Sequence, residues 1–370
     1  MHYYDFALCD ALVRGGKAEP ILFTCDETAV HAAPPGVPVR YAFRGIYGEA
    51  PALLRGVRYA RAWREITAAA KREQPQIAHL HYFLFPPADW LAVQRLRHQG
   101  VRIVITAHDV IPFNVGSRSL LPSIFRSIYG SADRIIVHAQ HNRRELLQHF
   151  PVDEGKVAVI PHGHYLPYTG DILLDRATAR AKLDVADRDP ILLFFGQIKR
   201  VKGLDVLLKA MPQVITRYPN VLLLIAGQVW KDDWGRYQAI IDGLGLIAHV
   251  HARLEHIPDE DVEMYYRAAD VVVLPYRHIY QSGVLLMTYS YARPVVASQV
   301  GGIAEVVRDG ETGLLVPPDD PQALAVAVNR LLADRETADA MGVAGRELVE
   351  AECSWERIAV QTTAVYEEIA

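Results

Sequence analysis

The sequence predicts an α/β protein built from two Rossmann-like domains in series, each with a parallel sheet. Its 370 residues are too many for one ordinary core, which predicts two domains. Short runs of β-branched residues alternate with helical patterns up to residue 161, and the same alternation starts again at residue 191. Such alternation is typical of parallel sheets that are covered by helices on both faces.

The composition is that of a soluble globular protein, with 51% apolar and 22% charged residues. A net charge of −4 excludes a general nucleic-acid binder. Cys9, Cys25 and Cys353 stand alone, form neither a metal pattern nor a disulfide framework, and fit a reducing compartment. No apolar run reaches the roughly 18 residues that a bilayer span needs, and no signal peptide is visible. We therefore expect a cytoplasmic protein.

The first domain is predicted over residues 1–168 and opens on a helix. Tyr4, Leu8 and Leu12 recur at helical spacing, and Gly15-Gly16 ends the segment as a C-cap does. A strand at 20–25, a long loop over 31–51 and a helix over 52–72 come next. Further strands are predicted over 77–82, 102–106, 134–138 and 157–161, with helices over 87–99, 122–129 and 140–150.

The helix over residues 52–72 is unusually basic. Eight basic and three acidic residues lie between Arg40 and Glu73, and apolar residues are mixed with the arginines of the helix. One interpretation of this pattern is a solvated outer face of the domain. The alternative is a patch that meets anionic lipid or an anionic acceptor, which would make the protein peripheral at the inner membrane face.

The second domain is predicted over residues 169–352, after an irregular polar linker over 162–189 that joins the domains near residue 170. Its strands are predicted over 191–196, 221–227 and 249–253 and from 271, 295 and 314, with helices over 204–217, 233–243, 259–268, 283–292 and 320–334. A last helix is predicted over 355–369. Ligands of such sheets bind beyond the carboxyl ends of the strands.

Two polar loops follow strands of the first domain. Residues 106–109 read Thr-Ala-His-Asp, and residues 161–164 read Pro-His-Gly-His. His108 is a candidate site residue, although a core histidine paired with a neighbouring carboxylate explains it equally well. His162 lies at the mouth of the last strand of this domain.

Two loops of the second domain predict an anion site. Lys199, Arg200 and Lys202 crowd one βα loop of a protein with net negative charge, which indicates a phosphate site, with a solvated charged turn as the alternative. Residues 281–283 lead from another strand into a helix, whose first N–H groups can bind an anion. Together the two loops can hold a diphosphate. The sequence has no Walker loop, no dinucleotide fingerprint and no metal-ligand spacing.

Six motifs follow one another between residues 190 and 348: FFGQIKRVKGLDVLLKAM, VLLLIAG, AADVVVLPY, QSGVLLMTYSYARPVVAS, VGGIAEVV and DGETGLLVPPDDPQALA. In this order and spacing they resemble the donor-binding domain of a family 4 glycosyltransferase with the GT-B fold. The first half resembles the acceptor domain more loosely, through TAHD, SADRIIVHA and VAVIPHG. The final segment, residues 353–370, resembles the helix that crosses back to the first domain in such enzymes.

The resemblance implies two Rossmann-like domains that face each other across a cleft. It implies a retaining glycosyltransferase that moves a sugar from a nucleotide-sugar to a saccharide or lipid-linked acceptor, in cell-surface polysaccharide or glycolipid biosynthesis. Neither a cofactor nor a metal ion is expected, since fixed cations and helix amides stabilise the leaving diphosphate.

The resemblance also implies site residues. His108, beside the transferred sugar, and Lys202, on the donor diphosphate, are the catalytic candidates. Residues Lys199, Arg200, Gln281, Ser282, Gly283 and Val284 would complete the diphosphate site. Residues Gly196, His162 and Glu305 would lie on the side of the donor sugar.

The sequence departs from the family pattern at two places. Ile279 and Met287 occupy the positions of the two glutamates that the family often carries, and methionine cannot accept the ribose hydroxyls. The local QSGV sequence at residues 281–284 resembles a subgroup without these glutamates. The strand and Gly-rich turn that precede the first helix in the family are also missing, which leads to the hypothesis of a truncated or misassigned start.

Two alternatives to the active transferase remain at this stage. The missing glutamates favour a nucleotide-sugar-binding protein that has lost catalysis. A sugar-nucleotide epimerase of the same fold would need acid and base carboxylates in the cleft, which the sequence does not supply.

Overall fold

The computed structural model describes residues 2–48, 50–111, 121–169, 174–185 and 190–370. The chain divides into two compact units: the first comprises residues 1–163 and 353–370, and the second comprises residues 164–352. The predicted junction near residue 170 lies outside the described residues.

Over its described residues, the first unit contains two parallel sheets. One sheet pairs β1 (Leu22–Cys25) with β2 (Val39–Phe43). The other has the order β3–β4–β5–β6, with strands Ile77–Leu80, Arg102–Thr106, Arg134–Val137 and Val157–Val159. The prediction of a loop over residues 31–51 was wrong, because β2 lies inside it. Val39–Phe43 is a short strand that shows no alternation of buried and exposed residues, and pairing with β1 is what orders it.

The helices of the first unit are α1 (His2–Arg14), α2 (Ala52–Glu73), α3 (Pro86–His98), α4 (Leu121–Gly130), α5 (Gln140–His149) and α15 (Trp355–Glu367). Helix α1 packs against α15, and α2 packs against α3. The α2–α3 contact contains a buried polar centre, since Tyr59 and Trp63 donate to Asp89 Oδ1 at 2.6 and 2.8 Å. Tyr59 and Trp63 are both buried and define the inner face of α2.

In the part of the second unit that the structure describes, the strands form one six-stranded parallel sheet of order β12–β11–β10–β7–β8–β9. The strands are β7 (Ile191–Phe195), β8 (Leu222–Ala226), β9 (Val250–Arg253), β10 (Val271–Leu274), β11 (Val295–Ser298) and β12 (Leu314–Val316). This order makes β7 and β10 neighbours, and the chain winds outward from them in both directions. The predicted Rossmann-like architecture with parallel sheets is confirmed for both units.

The helices of the second unit are α6 (Leu166–Thr169), α7 (Arg176–Lys182), α8 (Leu204–Arg217), α9 (Trp234–Gly243), α10 (Asp259–Ala268), α11 (Gly283–Ser290), α12 (Ile303–Val306), α13 (Pro321–Ala333) and α14 (Arg335–Glu352). Helices α6 and α7 correct the prediction of an irregular linker over residues 162–189. The short α7 is capped by Asp175, which accepts from Thr178 N, and Arg180 on α7 is fully buried and donates to Asp270 at 2.8 Å. This segment is stabilised by packing against residues that are distant in sequence, and such packing cannot be predicted from a short polar stretch.

Candidate functional site

The second unit presents the topological switch point of its sheet at the carboxyl ends of β7 and β10. The two strands are adjacent, and their following loops start at Gly196 and Pro275. In open parallel sheets, the crevice beside two such loops is where ligands bind, because the chain leaves them in opposite directions. The loops after β7 and β10 are the two loops in which the sequence predicts an anion site.

Lys202 lies at this switch point. A Cβ built on Gly196 would lie 3.1 Å from Lys202 Nζ and 3.2 Å from a methyl group of Val284, so these three residues meet. The ammonium group also lies 5.3 Å from the centre of the Tyr276 ring, a cation–π distance. Burial, and secondarily the charge of Lys199, lower the pKa of Lys202 to about 7. An anion that binds here would offset part of the cost of charging this amine.

Arg277 holds the loop that carries Lys202. Its guanidinium donates to both carboxylate oxygens of Asp205 at 2.8 Å and to the carbonyl oxygen of Arg200 at 2.8 Å. The backbone N–H of Arg277 donates to the Val201 carbonyl at 2.8 Å. Asp205 is 6% exposed, so this bidentate pair is largely shielded from water. Arg277 thereby ties the loop after β10 to the loop after β7.

Two glycines allow the site loops to approach each other. Gly203 has φ +65°, and a Cβ there would lie 1.9 Å from the Pro275 carbonyl oxygen. Gly301 has φ +50°, and a Cβ there would lie 1.7 Å from the Ile279 carbonyl oxygen. Any side chain at either position would both strain the backbone and displace the facing loop.

Helix α11 begins at the same place. Ser282 is its N-cap, and the Ser282 hydroxyl accepts from Leu285 N at 3.2 Å. Ser282 is buried, whereas Gln281, Gly283 and Val284 are half-buried. The first N–H groups of a helix have no carbonyl partner within it, so this terminus offers backbone donors close to Lys202.

The remaining predicted residues of the second unit occupy different environments. Lys199 is half-buried and close enough to Lys202 to affect its pKa. Arg200 has an exposed side chain and contributes its carbonyl oxygen to Arg277. Glu305 is exposed on α12, and the preceding turn is joined to the site loop where Gly302 N donates to the Tyr280 carbonyl at 3.2 Å.

A second polar group lies in the first unit, at the carboxyl ends of the four strands β3–β6. One histidine follows each strand: His81 after β3, His108 after β4, His138 after β5 and His162 after β6. Their rings surround Tyr4 of α1, with centroid distances of 5.2, 4.7, 5.5 and 4.9 Å respectively. We call these four residues the histidine cluster.

Three members of the histidine cluster form a chain of ring contacts. His138 Nδ1 lies 2.9 Å from the carbonyl oxygen of Ile160, and His138 Nε2 lies 2.9 Å from His108 Nδ1. His108 Nε2 lies 3.4 Å from His81 Nδ1, which is 3.1 Å from Asp5 Oδ1. His108 is therefore bonded to imidazoles, and the carboxylate that the sequence left open as its partner stands beside His81 instead.

Burial keeps His108, His138 and His162 of the histidine cluster neutral. Desolvation, and then the other histidines, lower the pKa of His108 well below its usual value. Desolvation likewise lowers the pKa of His138 to about 4 and that of His162 to about 3. Imidazoles of this kind are uncharged at neutral pH and can recognise hydroxyl groups.

Gly163 and the C-terminal helix close one side of the histidine cluster. Trp355 of α15 lies 5.2 Å from the Tyr4 ring and 6.1 Å from the His162 ring. A Cβ on Gly163 would come within 2.2 Å of the Trp355 indole, so only glycine fits there.

Sequence reasoning predicted His108 and His162 but missed Tyr4, His81 and His138. His81 and His138 each lie within the last two residues of a predicted strand. Their positions at strand ends were therefore a signal in the sequence for a site. Recognising it requires the strand order, which places the four carboxyl ends side by side.

Over the part of the chain that the structure describes, no group of three or more His, Cys, Asp or Glu side chains is arranged to hold a metal ion. None of the described helices is long and apolar enough to cross a bilayer.

Two family models match the chain, one in each unit. Residues 6–165 match Glycosyltransferase Family 4, and residues 189–334 match Glycosyl transferases group 1. A D-inositol 3-phosphate glycosyltransferase from Geodermatophilus obscurus is 31% identical over 90% of this chain and 76% of that protein. The enzyme of the same name from Nocardia farcinica is 30% identical over 75% of this chain and 64% of that protein.

Solved structures share the fold. Sucrose-phosphate synthase from Thermosynechococcus elongatus has a TM-score of 0.78 and 26% identity, over 98% of this chain and 91% of that chain. Anabaena HepE, solved in complex with UDP-glucose, has a TM-score of 0.77 over 98% of this chain and 95% of that chain. At 18% identity, HepE supports the fold alone.

Fold and sequence therefore define a glycosyltransferase of the GT-B kind. The chain belongs to glycosyltransferase family 4.

Proposed function

We propose that this protein is a retaining glycosyltransferase that moves a sugar from a nucleotide-sugar to an acceptor hydroxyl. The observation that carries the proposal is the place of Lys202, a half-buried amine between Gly196 and Val284 at the switch point of the second unit. In the proposed reaction the bond between the sugar and the diphosphate breaks, and its electron pair stays on the diphosphate. The acceptor oxygen forms the new bond and releases its proton.

Lys202 and the N-terminus of α11 would stabilise the leaving diphosphate. Negative charge grows on that group as the bond breaks, and preorganised donors in a poorly hydrated site lower the energy of such a state. The histidine cluster would contact sugar hydroxyls, with the neutral His108 and His162 as the nearest candidates. Gly196 and Glu305 would lie on the side of the donor sugar.

The test is release of nucleoside diphosphate from a panel of UDP-, GDP-, ADP- and dTDP-sugars, each with and without acceptors. UDP-glucose is included because HepE was solved with it, and inositol 3-phosphate is included because the curated relatives are named for it. We expect acceptor-dependent release, with NMR of the product showing the anomeric configuration of the donor. Donor binding without turnover would instead favour an inactive nucleotide-sugar-binding protein, for which Ile279 and Met287, in place of carboxylates, are the argument.

We also propose that transfer needs no metal ion. Lys202 and the α11 amides would take the role that a divalent cation has in other sites for diphosphates. Transfer rates are expected to be equal in EDTA and in added Mg²⁺ or Mn²⁺. A rate that is lost in EDTA and restored by either ion would contradict this part of the proposal.

We further propose that the acceptor belongs to cell-surface polysaccharide or glycolipid assembly and that α2 meets an anionic membrane. At the start of α2, Leu53 is 82% exposed and Val57 is 59% exposed, and Arg61 and Arg64 are exposed further along the same helix. Apolar side chains next to arginines suit the boundary between lipid headgroups and acyl chains.

Cosedimentation with vesicles tests the membrane proposal. Binding to phosphatidylglycerol vesicles is expected, weaker in high salt and absent with phosphatidylcholine alone. Val57→Ser should weaken binding, whereas Val343→Ser, which changes a valine of similar exposure in the second unit, should not. Equal binding to both kinds of vesicle, or equal effects of the two substitutions, would refute a specific role for α2.

A further inference from the structure

The amine of Lys202 has no carboxylate partner among the residues that the structure describes. The acid closest to it in the chain, Asp205, is bound through both carboxylate oxygens to Arg277 at 2.8 Å. Lys199, the charged neighbour that affects Lys202, is itself a cation and disfavours a second charge. The charged amine therefore needs a partner of another kind.

The face of the Tyr276 ring is such a partner. Lys202 Nζ lies 5.3 Å from the ring centre, and Tyr276 is 1% exposed. The face of an aromatic ring carries partial negative charge and attracts a cation, more strongly where water is excluded. A ring differs from a carboxylate because it stabilises the cation without cancelling its net charge. The charge of Lys202 thus stays available to an anion.

The backbone on both sides of Tyr276 is fixed against the loop of Lys202. On one side, a Cβ built on Gly203 would lie 1.9 Å from the Pro275 carbonyl oxygen. On the other side, Arg277 N donates at 2.8 Å to the carbonyl oxygen of the residue that precedes Lys202. These contacts flank the ring and the amine directly. The position of the ring is therefore defined before an anion binds, as preorganisation requires.

The hydroxyl group of Tyr276 is separate from this contact. It is buried and makes no hydrogen bond within the part of the chain that the structure describes. Burial raises the pKa of Tyr276, and the nearby Ser282 hydroxyl offsets only part of this rise, so the phenol is neutral at neutral pH. Removal of a buried hydroxyl without a partner is expected to cost no stability. Phenylalanine can consequently replace Tyr276 and keep the ring.

We propose that Tyr276 is a positioning residue whose ring holds the charged form of the Lys202 amine in place for the leaving diphosphate. The contact between ring and amine stands on the geometry, whereas its use in transfer rests on the proposed function. The ring makes the charged amine easier to form in a poorly hydrated site and fixes where it lies. Both effects favour an anion that binds beside Lys202.

The first experiment measures the pKa of Lys202 by ¹³C NMR of protein labelled at the lysine Cε, with the signal assigned by Lys202→Met. Tyr276→Phe keeps the ring and should leave this pKa unchanged. Phenylalanines with one to five fluorine atoms in place of Tyr276 nearly keep the shape of the ring but withdraw charge from its face. The pKa of Lys202 is expected to fall stepwise along this series, by about one pH unit at five fluorine atoms. An unchanged pKa along the series would overturn the proposal.

The same fluorinated series in place of Tyr218 is the matched control. Tyr218 also lies beneath a cation, since the Arg217 guanidinium is 5.9 Å from its ring centre. It follows the far end of α8, however, roughly 20 Å along the helix from the loop of Lys202. Fluorination there should leave the pKa of Lys202 unchanged. A fall equal to that at Tyr276 would refute the role of the ring contact. The partly fluorinated proteins decide the question if the fully fluorinated one does not fold.

The pH dependence of transfer gives a second readout. With a Lys202 pKa of about 7, about half of the amine is charged at pH 7. A fall of one pH unit leaves about one tenth charged, so kcat/KM at pH 7 should drop about fivefold. The drop should disappear near pH 5, because the amine is then charged in every variant. A loss that persists at this pH would indicate structural damage and would refute the positioning role.

The outcomes separate this inference from the proposed function. If no donor and acceptor pair is turned over, the proposed function fails, while the NMR titration still decides whether the ring stabilises the charged amine. A pKa of Lys202 that falls with fluorination while kcat/KM at pH 7 stays unchanged would refute the use of this contact in transfer.

Discussion

Substitution of Lys202 by methionine is the sharpest test of the second unit. Methionine keeps an unbranched side chain of similar length that can pack against Tyr276, while the charge near Gly196 is lost. The change therefore separates the electrostatic contribution of Lys202 from its packing. We expect a folded protein with greatly reduced transfer.

The magnitude follows from the environment of the amine. A lysine has a usual pKa of 10.5, and burial lowers the pKa of Lys202 to about 7. The charged form is then roughly 5 kcal/mol less favourable than in water, so an anion that pairs with it recovers part of this cost. The loss of one such donor to a developing negative charge typically costs about 3 kcal/mol, which lowers kcat/KM about a hundredfold or more.

The lowered pKa of Lys202 determines how both kcat/KM for the donor and the stability of the protein depend on pH. In the free protein Lys202 is charged below about pH 7 and becomes neutral above it, so kcat/KM for the donor should fall as the pH rises through this value. The unfolded chain, with a lysine pKa of 10.5, binds more protons than the folded protein between about pH 7 and 10.5. The lysine therefore makes stability rise with pH over this window and costs most below pH 7. Lys202→Met should remove this slope and should be the more stable protein at pH 6.

The assays are steady-state release of nucleoside diphosphate, calorimetric titration with the free nucleotide, and thermal melting at several pH values. Lys182→Met is the matched control, since this lysine of α7 in the same unit is exposed. Near-wild-type turnover in folded Lys202→Met would refute the assignment. A kcat/KM that stays flat between pH 6 and 9 would refute the pKa argument.

Two further predictions concern the loops that carry Lys202. Arg277→Lys should raise the KM for the donor more than it lowers kcat, and should lower the free energy of unfolding by about 1–3 kcal/mol, because a lysine cannot make the two bonds to Asp205; unchanged urea unfolding would contradict this. Gly203→Ala should destabilise the protein by about 3 kcal/mol or more, because its φ of +65° and the Pro275 carbonyl exclude a Cβ. Gly243→Ala, where a Cβ meets nothing within 4 Å, should leave the melting temperature unchanged or raise it, and equal effects of the two alanines would contradict the packing argument.

Local sequence patterns predicted most of the elements. The long amphipathic α2 and the six strands of the second unit were predicted because strong periodicity and buried β-branched runs are local properties. The strand β2 and the helix α7 were among the elements that were missed. Each is short, and each is stabilised by a partner that is distant in sequence: β1 for one, and Asp270 beside α10 for the other.

For the candidate sites too, some features followed from the sequence and others only from the tertiary structure. The sequence by itself determined the fold class, the family resemblance and the residue types in the loops, among them Lys202, His108 and His162. Only the tertiary structure decided which of these residues meet. It brought Lys202 to Gly196 and Val284, left the Arg200 side chain exposed, and joined His108 to His138.

The physical reason is that a strand order is not encoded in any one segment. Parallel strands pair through long crossovers, so the neighbours of a loop depend on how whole βα units pack. The adjacency of β7 and β10 creates the switch point at Lys202, and the order β3–β4–β5–β6 gathers four histidines around Tyr4. The sequence therefore showed which residue types could form a site, whereas the packing of the sheets decided which of these residues lie close together.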